Sequence, residues 1–229
     1  MRTLLYRDAR LRGTVWRVSL PDLSTSTSPD RVERPGSRGE HFLQCALETT
    51  DRATRFYSDQ VLDHLNPAMA EFVARMEMAF ISTADADGEC DSTLRAGPAG
   101  FIQVIDERTI AYPEYRGNGV MASLGNIMEN PHVGMLLVDF TDDLIGLHVN
   151  GRARIAPREE FPTDDRKVER WVVVQVQEAY IHCRKHIPRM VPVDRVRDWG
   201  TDDVKRKGGD FFGAKAGREQ REKGSPEPS

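Results

Sequence analysis

The stretch YPEYRGNGVMASLGN, Tyr112 to Asn126, sets three glycines, two asparagines and an arginine among apolar residues, directly after a run that reads as a strand. Glycines let backbone approach a ligand closely and take positive φ. A helix that starts here, near Asn118 or Gly119, offers N–H groups without internal partners and the positive end of its dipole. Arg116 adds a formal charge with several donors, and Asn118 a side-chain amide. Together these groups suit a phosphate. The same letters also suit a plain helix entry with a glycine turn and an Asn cap, and local sequence leaves both readings open.

Other chemistry-bearing clusters are weaker. HCRKH brings His182, Cys183 and His186 close in sequence. A His-x3-His pair suits zinc when both lie on one helix face, but this segment leaves a strand, and we expect a surface or interface role and no metal. DADGECD opens like a calcium loop and lacks its remaining ligands; Asp87-Gly88 reads as a hairpin turn. Trp171 and Tyr180 read as core or interface anchors or as stacking partners of a cofactor. Cys90, with no base to pair it, reads as a small buried hydrophobe.

The elements that must carry these residues follow from apolar spacing. ATRFYSDQVLDHL puts Phe56, Val61 and Leu65 near one helical face. NPAMAEFVARM begins with Asn66 as N-cap and Pro67 at the first helical position, then repeats Met69, Phe72, Val73, Met76 at helical spacing. Strands follow at MAFISTA, CDSTL, GFIQVID and RTIAYP. VGMLLVDF, almost unbroken, predicts a central strand buried on both faces. LHVNGRARI alternates, with Leu147, Val149, Gly151, Ala153 and Ile155 on one side. RWVVVQVQEAY sets Val172, Val174 and Val176 against Gln175 and Gln177. One helix interrupts the series, with Val120, Met121, Leu124, Ile127 and Met128 as its stripe and Asn130-Pro131 as its stop. Six or seven strands, mostly hairpin-linked, predict a mainly β chain with flanking helices, an antiparallel barrel.

The 229 residues fit one domain with extensions. A net charge of -4 argues against sequence-independent nucleic-acid binding. Cys45, Cys90 and Cys183 make no disulfide framework. No apolar run resembles a signal peptide or a membrane span, so we expect a cytoplasmic protein. A short strand is expected at TVWRVSL, and a linker over 22–40. The division is an N-terminal arm and linker over 1–40, a barrel domain over 41–200, and an extension over 201–229, disordered from about 213 for want of large apolar residues.

The run from Cys90 to Phe140, CDSTLRAGPAGFIQVIDERTIAYPEYRGNGVMASLGNIMENPHVGMLLVDF, resembles the pyridoxamine 5'-phosphate oxidase-like family of FMN-binding split β-barrels. It is most similar to a branch that reads Cys-Asp-x-Ser-x-Arg-Gly-Gly-x-Pro-Gly-Phe, then Pro-x-Tyr-x-Gly-Asn, Ser-Leu-Gly-Asn-Ile and Asn-Pro-x-Val-Gly. The likeness extends over roughly residues 50–185. It implies a split barrel, a homodimer with FMN in a cleft between subunits, and oxidoreductase chemistry on a small substrate. Carried over by position, it implies Arg95 at the phosphate or the pyrimidine edge of the flavin. Asn118, Ser123 and Asn126 would contact the phosphate or ribityl chain, with Arg116 as a less regular member. Gly100, Phe101, Gln103, Tyr112 and Pro113 would run along the ring.

Three features depart from the founding family. Gly117-Asn118-Gly119 replaces its Ser-Arg-Lys phosphate triplet, Ala96 stands where the branch has glycine, and no Arg- and His-bearing segment for pyridoxal phosphate follows residue 190. These argue against vitamin B6 oxidation. The alternatives are an F420-using reductase of the same fold, or a flavin- or haem-binding module without turnover, acting as carrier or sensor.

Overall fold

The structure, a computed structural model, describes residues 35–193, 201, 203–215 and 218, together with the backbone of two strands near the start. The expected linker falls outside the described residues up to position 34, and the expected tail does so beyond 218. The chain divides into two compact units, Met1–Val61 and Leu62–Ser229.

In the first unit, strands β1 (Thr3–Arg7) and β2 (Val15–Ser19) pair antiparallel, with β2 at the expected strand. Helices α1 (Arg38–Ala46) and α2 (Thr50–Gln60) follow. The sequence reading missed α1. Its signal is a capping box: Ser37 Oγ accepts from Glu40 N at 3.1 Å while Ser37 N donates to Glu40 Oε1 at 3.0 Å. Tyr57 ties the two helices, accepting from Gln44 Nε2 at 2.7 Å and donating to Glu40 Oε2 at 3.1 Å. α2 ends at Gln60, so Val61 and Leu65 do not extend its face.

The second unit opens with α3 (Pro67–Arg75), whose Asn66 side chain accepts from Met69 N at 2.9 Å, as the Asn-Pro start predicts. Strands β3 (Met78–Ala84), β4 (Cys90–Ala96), β5 (Gln103–Asp106) and β6 (Thr109–Tyr115) come next. Then come helix α4 (Ala122–Glu129) and strands β7 (His132–Val138), β8 (Gly146–Pro157) and β9 (Val168–His182). All seven strands of this unit form one antiparallel sheet in the order β4-β3-β7-β8-β9-β6-β5. The mainly β fold with flanking helices is the one expected, an antiparallel barrel left open along one side. Its curl is visible in one contact: Arg95 on β4 meets Glu114 on β6, although these strands lie near opposite ends of the sheet order.

The barrel interior is a single apolar core. Ile81, Met135, Leu137, Val149, Val172 and Val174 are all essentially inaccessible. A second, smaller core lies on the outer face of β6 and β9, where Ala111, Val173 and Trp171 pack with Val168 and Phe161. That is why WVVV is continuous: alternate valines serve opposite cores. Trp171 Nε1 donates to the Arg158 carbonyl at 3.1 Å, and its ring meets Phe161 edge-on at 5.6 Å. β7 departs from expectation. Val133, Met135 and Leu137 are buried, but Gly134 and Leu136 are only half covered, because among the described residues no second layer lies over that face.

β8 and β9 stay paired through a bulge between Asn150 and Gly151. A Cβ at Gly151 would sit 2.1 Å from the Gln175 carbonyl oxygen, so only glycine fits there. The hairpin at DADGE forms as expected, with Gly88 at φ +86° and Asp85 Oδ1 accepting from the backbone of Asp87 at 3.0 Å and of Glu89 at 2.9 Å. Cys90, expected to be buried, is exposed, with its thiol 3.4 Å from the Gly88 carbonyl. It opens β4, an edge strand of the sheet. No described helix is long and apolar enough to cross a membrane.

Candidate functional site

The sheet curls but does not close, and a cleft opens at the seam. Its volume is about 860 Å³, within the usual range for small-molecule sites. The walls come from the inner face of β4, the end of β6, the 116–121 turn and the first turn of α4. Beyond its polar groups, Leu94, Val120 and Met121 line the cleft while exposing 52%, 72% and 50% of their surface.

Alternation along β4 sends Asp91, Thr93 and Arg95 inward, opposite Thr83, Ile81 and Ala79 of β3. The pleat of β6 puts Glu114 on the same side as Ile110 and Tyr112. β5 pairs with β6 only through Thr109–Ala111, so the end of β6 is free to face β4. Arg95 Nε and Nη2 each lie 2.7 Å from Glu114 Oε1, and Nη1 donates to Thr93 Oγ1 at 2.8 Å. Every nitrogen of the guanidinium is therefore engaged. Glu114 is only 9% exposed. Burial pushes its carboxyl upward, against the pull of Arg95. Beside this pair Tyr112 is fully buried, and its hydroxyl has no hydrogen-bond partner among the described residues. Burial pushes that phenol up as well, with Glu114 adding to the shift.

The register between β6 and β9 slips between Glu114 and Tyr115, leaving Glu169 as the extra residue. The bulge turns Glu169 toward the cleft, where it accepts from Arg116 Nε at 3.2 Å. Arg170 also lines the cleft, as does Lys207 from beyond the barrel, whose ammonium lies 3.5 Å from the Gly117 carbonyl. The lining thus carries Arg95, Arg116, Arg170 and Lys207 against Asp91, Glu114 and Glu169.

α4 starts later than the sequence suggests, at Ala122 and not near Asn118 or Gly119. Asn118 caps the turn instead, its Oδ1 accepting from Val120 N at 3.0 Å. Gly119 takes φ +83°, and Met121, the N-cap, sits in the left-handed region at φ 56°. No side chain caps this helix. Its first amides, at Ala122, Ser123 and Leu124, border the cleft. Two side chains pin the helix: Ser123 Oγ donates to Asp91 Oδ2 at 3.0 Å, and Asn126 Nδ2 donates to Thr83 Oγ1 at 3.1 Å.

The residues singled out from sequence are thus divided. Arg95, Arg116, Asn118 and Ser123 converge on the cleft. Asn126 braces α4 from behind. Tyr112 and Pro113 are buried in the sheet and Phe101 in the core, Gly100 is an exposed turn glycine at φ +82°, and Gln103 donates to the Pro162 carbonyl at 3.4 Å. None of these six lines the cleft. Sequence reasoning missed Asp91, Glu114, Glu169, Arg170 and Lys207. The signal for Glu114 was present, since it shares the inward phase of Ile110 and Tyr112.

A separate cluster lies on the outer face of β8 and β9. His148 Nε2 and His182 Nδ1 are 3.0 Å apart, and His148 stacks on Tyr180 at 4.7 Å. Burial, then His182, pulls the His148 imidazole down. His182 thus pairs with His148 and not with His186, which is exposed in a 3-10 turn.

Comparison with known proteins gives a family match and distant structural likenesses. The sequence profile described as Pyridoxamine 5'-phosphate oxidase matches residues 65–189, more than half of the chain. No curated protein sequence matches. Among solved structures, HupZ of Group A Streptococcus (the H111A form) is 19% identical, covering 52% of this chain and 99% of its own at a TM-score of 0.40. An F420 reductase is 16% identical over 49% of this chain and 94% of its own, at 0.34. HutZ, described as the heme storage protein from Vibrio cholerae, is 12% identical over 51% and 94%, at 0.34.

Proposed function

The chain belongs to the pyridoxamine 5'-phosphate oxidase family, and from that premise we propose that it is an FMN-dependent oxidoreductase acting on a small substrate. The observation that carries this reading is the seam cleft, where an uncapped helix N-terminus and four cationic side chains meet. Orphan amides, a helix dipole and guanidinium groups are the donor set that a phosphate monoester needs. The residues present therefore fit the phosphate end of FMN.

In this reading the amides of Ala122, Ser123 and Leu124, the Asn118 amide and Arg116 hold the phosphate, and Arg170 and Lys207 add charge. Arg95 lies deeper and serves the phosphate or the pyrimidine edge, where a positive group favours extra negative charge on a reduced ring. A bound flavin would supply two-electron hydride transfer, the chemistry common to such cofactors. The protein's part is to bind, to orient and to exclude water. The exposed apolar residues at the rim, Leu94, Val120 and Met121, support closure of the cleft by a second copy of the chain. A homodimer supplies the ring-side wall that one chain lacks.

The test is a titration of purified protein with FMN, followed by absorbance and by quenching of flavin fluorescence. A flavin spectrum and saturable uptake are expected. Failure to bind FMN overturns the reading, and a Soret band in place of flavin bands points to haem. Bleaching by NADH, NADPH or reduced F420 then identifies the electron donor, and absence of bleaching by all three points to a carrier or sensor.

A further inference from the structure

In the seam, the most deeply set cation is already taken. All three nitrogens of Arg95 are engaged by Glu114 and Thr93. An anion entering the cleft meets a neutralised pair with a carboxylate in its wall. For Arg95 to bind that anion, Glu114 must give it up. Glu114 then becomes a buried charge with no hydrogen-bonded cation among the described residues, Arg170 acting on it only through its field. Such a charge is costly, and the usual escape is to take up a proton.

We propose that Glu114 holds Arg95 until an anionic ligand replaces it, and that this exchange takes one proton from solvent onto the Glu114 carboxylate. The inference rests on the reading of the cleft as an anion site. The charged and titratable groups that face Glu114 are Arg95 from β4, Arg170 and Glu169 from β9, and Tyr112 on its own strand. Glu169 and burial favour the protonated form, while Arg95 and Arg170 oppose it. Removing Arg95 from the balance shifts it toward protonation, so the arrangement is poised for the exchange. The buried Tyr112 hydroxyl, unpartnered among the described residues, stands within electrostatic reach of the pair. Glu114 is a positioning residue in this scheme. It makes ligand binding tighter as pH falls and disfavours anions too weak to displace it.

Sulfate is the probe, because it has no titratable proton near neutral pH. Calorimetry in two buffers of different ionisation enthalpy should show uptake approaching one proton per sulfate bound to the wild-type protein. The affinity should fall by up to about tenfold per pH unit. Glu114→Gln should bind sulfate about tenfold more tightly near neutral pH, with no dependence on buffer. Glu114→Asp, which keeps the charge, should retain the uptake, and it serves if the Gln variant does not fold.

Binding without proton uptake in the wild type overturns the proposal. So does equal uptake in Glu114→Gln, or weaker binding by that variant. A parallel FMN titration separates the two readings. If FMN binds while pH and Glu114→Gln leave its affinity unchanged, the proton exchange falls and the flavin reading stands. If neither FMN nor sulfate binds, both fall.

Discussion

The barrel has a closed wall and an open seam, and the two are built on different physics. Along β3, β7, β8 and β9 neighbouring strands pair in succession, with one bulge between β8 and β9, and the inward residues are Ile81, Met135, Leu137, Val149 and Val174. Nothing there asks for a ligand. At the seam, β4 and β6 do not pair, and the contact between them is ionic. A helix starts there without a cap, a methionine takes a left-handed conformation, and a tyrosine hydroxyl lies buried without a partner among the described residues. Strain at Met121 and the unmet hydroxyl of Tyr112 are tolerated at the seam because the wall carries the stability. The wall therefore sets whether the chain folds, and the seam sets what it binds.

That contrast can be broken most forcefully at the wall. Leu137→Ala removes a fully buried side chain from the barrel core and should cost about 2–5 kcal/mol in denaturant unfolding. FMN affinity, measured on the folded fraction, should stay within about twofold; a loss at low stability cost would mean that the wall shapes the site directly. Next in size is Gly151→Ala, whose added methyl meets the Gln175 carbonyl at 2.1 Å. It should cost about 1–3 kcal/mol or more by the same measurement, and a neutral result would break the claim that the β8–β9 bulge requires glycine.

The seam should behave in the opposite way. Arg116 pairs with Glu169 at 3.2 Å at an exposed position. Arg116→Ala should change unfolding free energy by less than about 0.5 kcal/mol and weaken FMN binding by about tenfold. A destabilised variant with unchanged affinity would place Arg116 in the framework instead.

A further test is an acid transition at the wall's end. Burial pushes the Asp139 carboxyl up, but backbone donors at Thr141, Asp142 and Asp143 outweigh it and hold the group at about 2. A carboxylate depressed on folding contributes stability above its unfolded value of 3.8, and that stability is lost as pH falls toward about 2. Asp139→Asn should flatten this part of the acid unfolding curve, and an unchanged curve would remove Asp139 from the account.

Most of the fold was legible because it is written in short-range periods. MAFISTA reads as a strand and is β3, and Asn66-Pro67 starts α3 as its chemistry requires. LHVNGRARI alternates in the structure as in the sequence. Half-legible was the entry to α4. Its glycines and Asn118 marked a turn, but the turn runs to Met121, a residue type with no preference for positive φ. Ser37 and Glu40 carried a capping box that went unread. The site was legible only in part. Arg116 and Asn118 came from turn chemistry and Arg95 and Ser123 from motif likeness, whereas Arg170 and Lys207 arrive from a bulged strand and from beyond the barrel.

The sequence by itself determined the element types, the turn glycines and the family, because alternation, capping and turn chemistry act between residues a few positions apart. Only the tertiary structure decided that Arg95 meets Glu114. The two are 19 positions apart, on strands near opposite ends of the sheet order. Nothing local to either marks the other as its partner; the curl of the sheet brings them together. The burial that follows turns an ordinary glutamate into one whose charge depends on what else Arg95 holds.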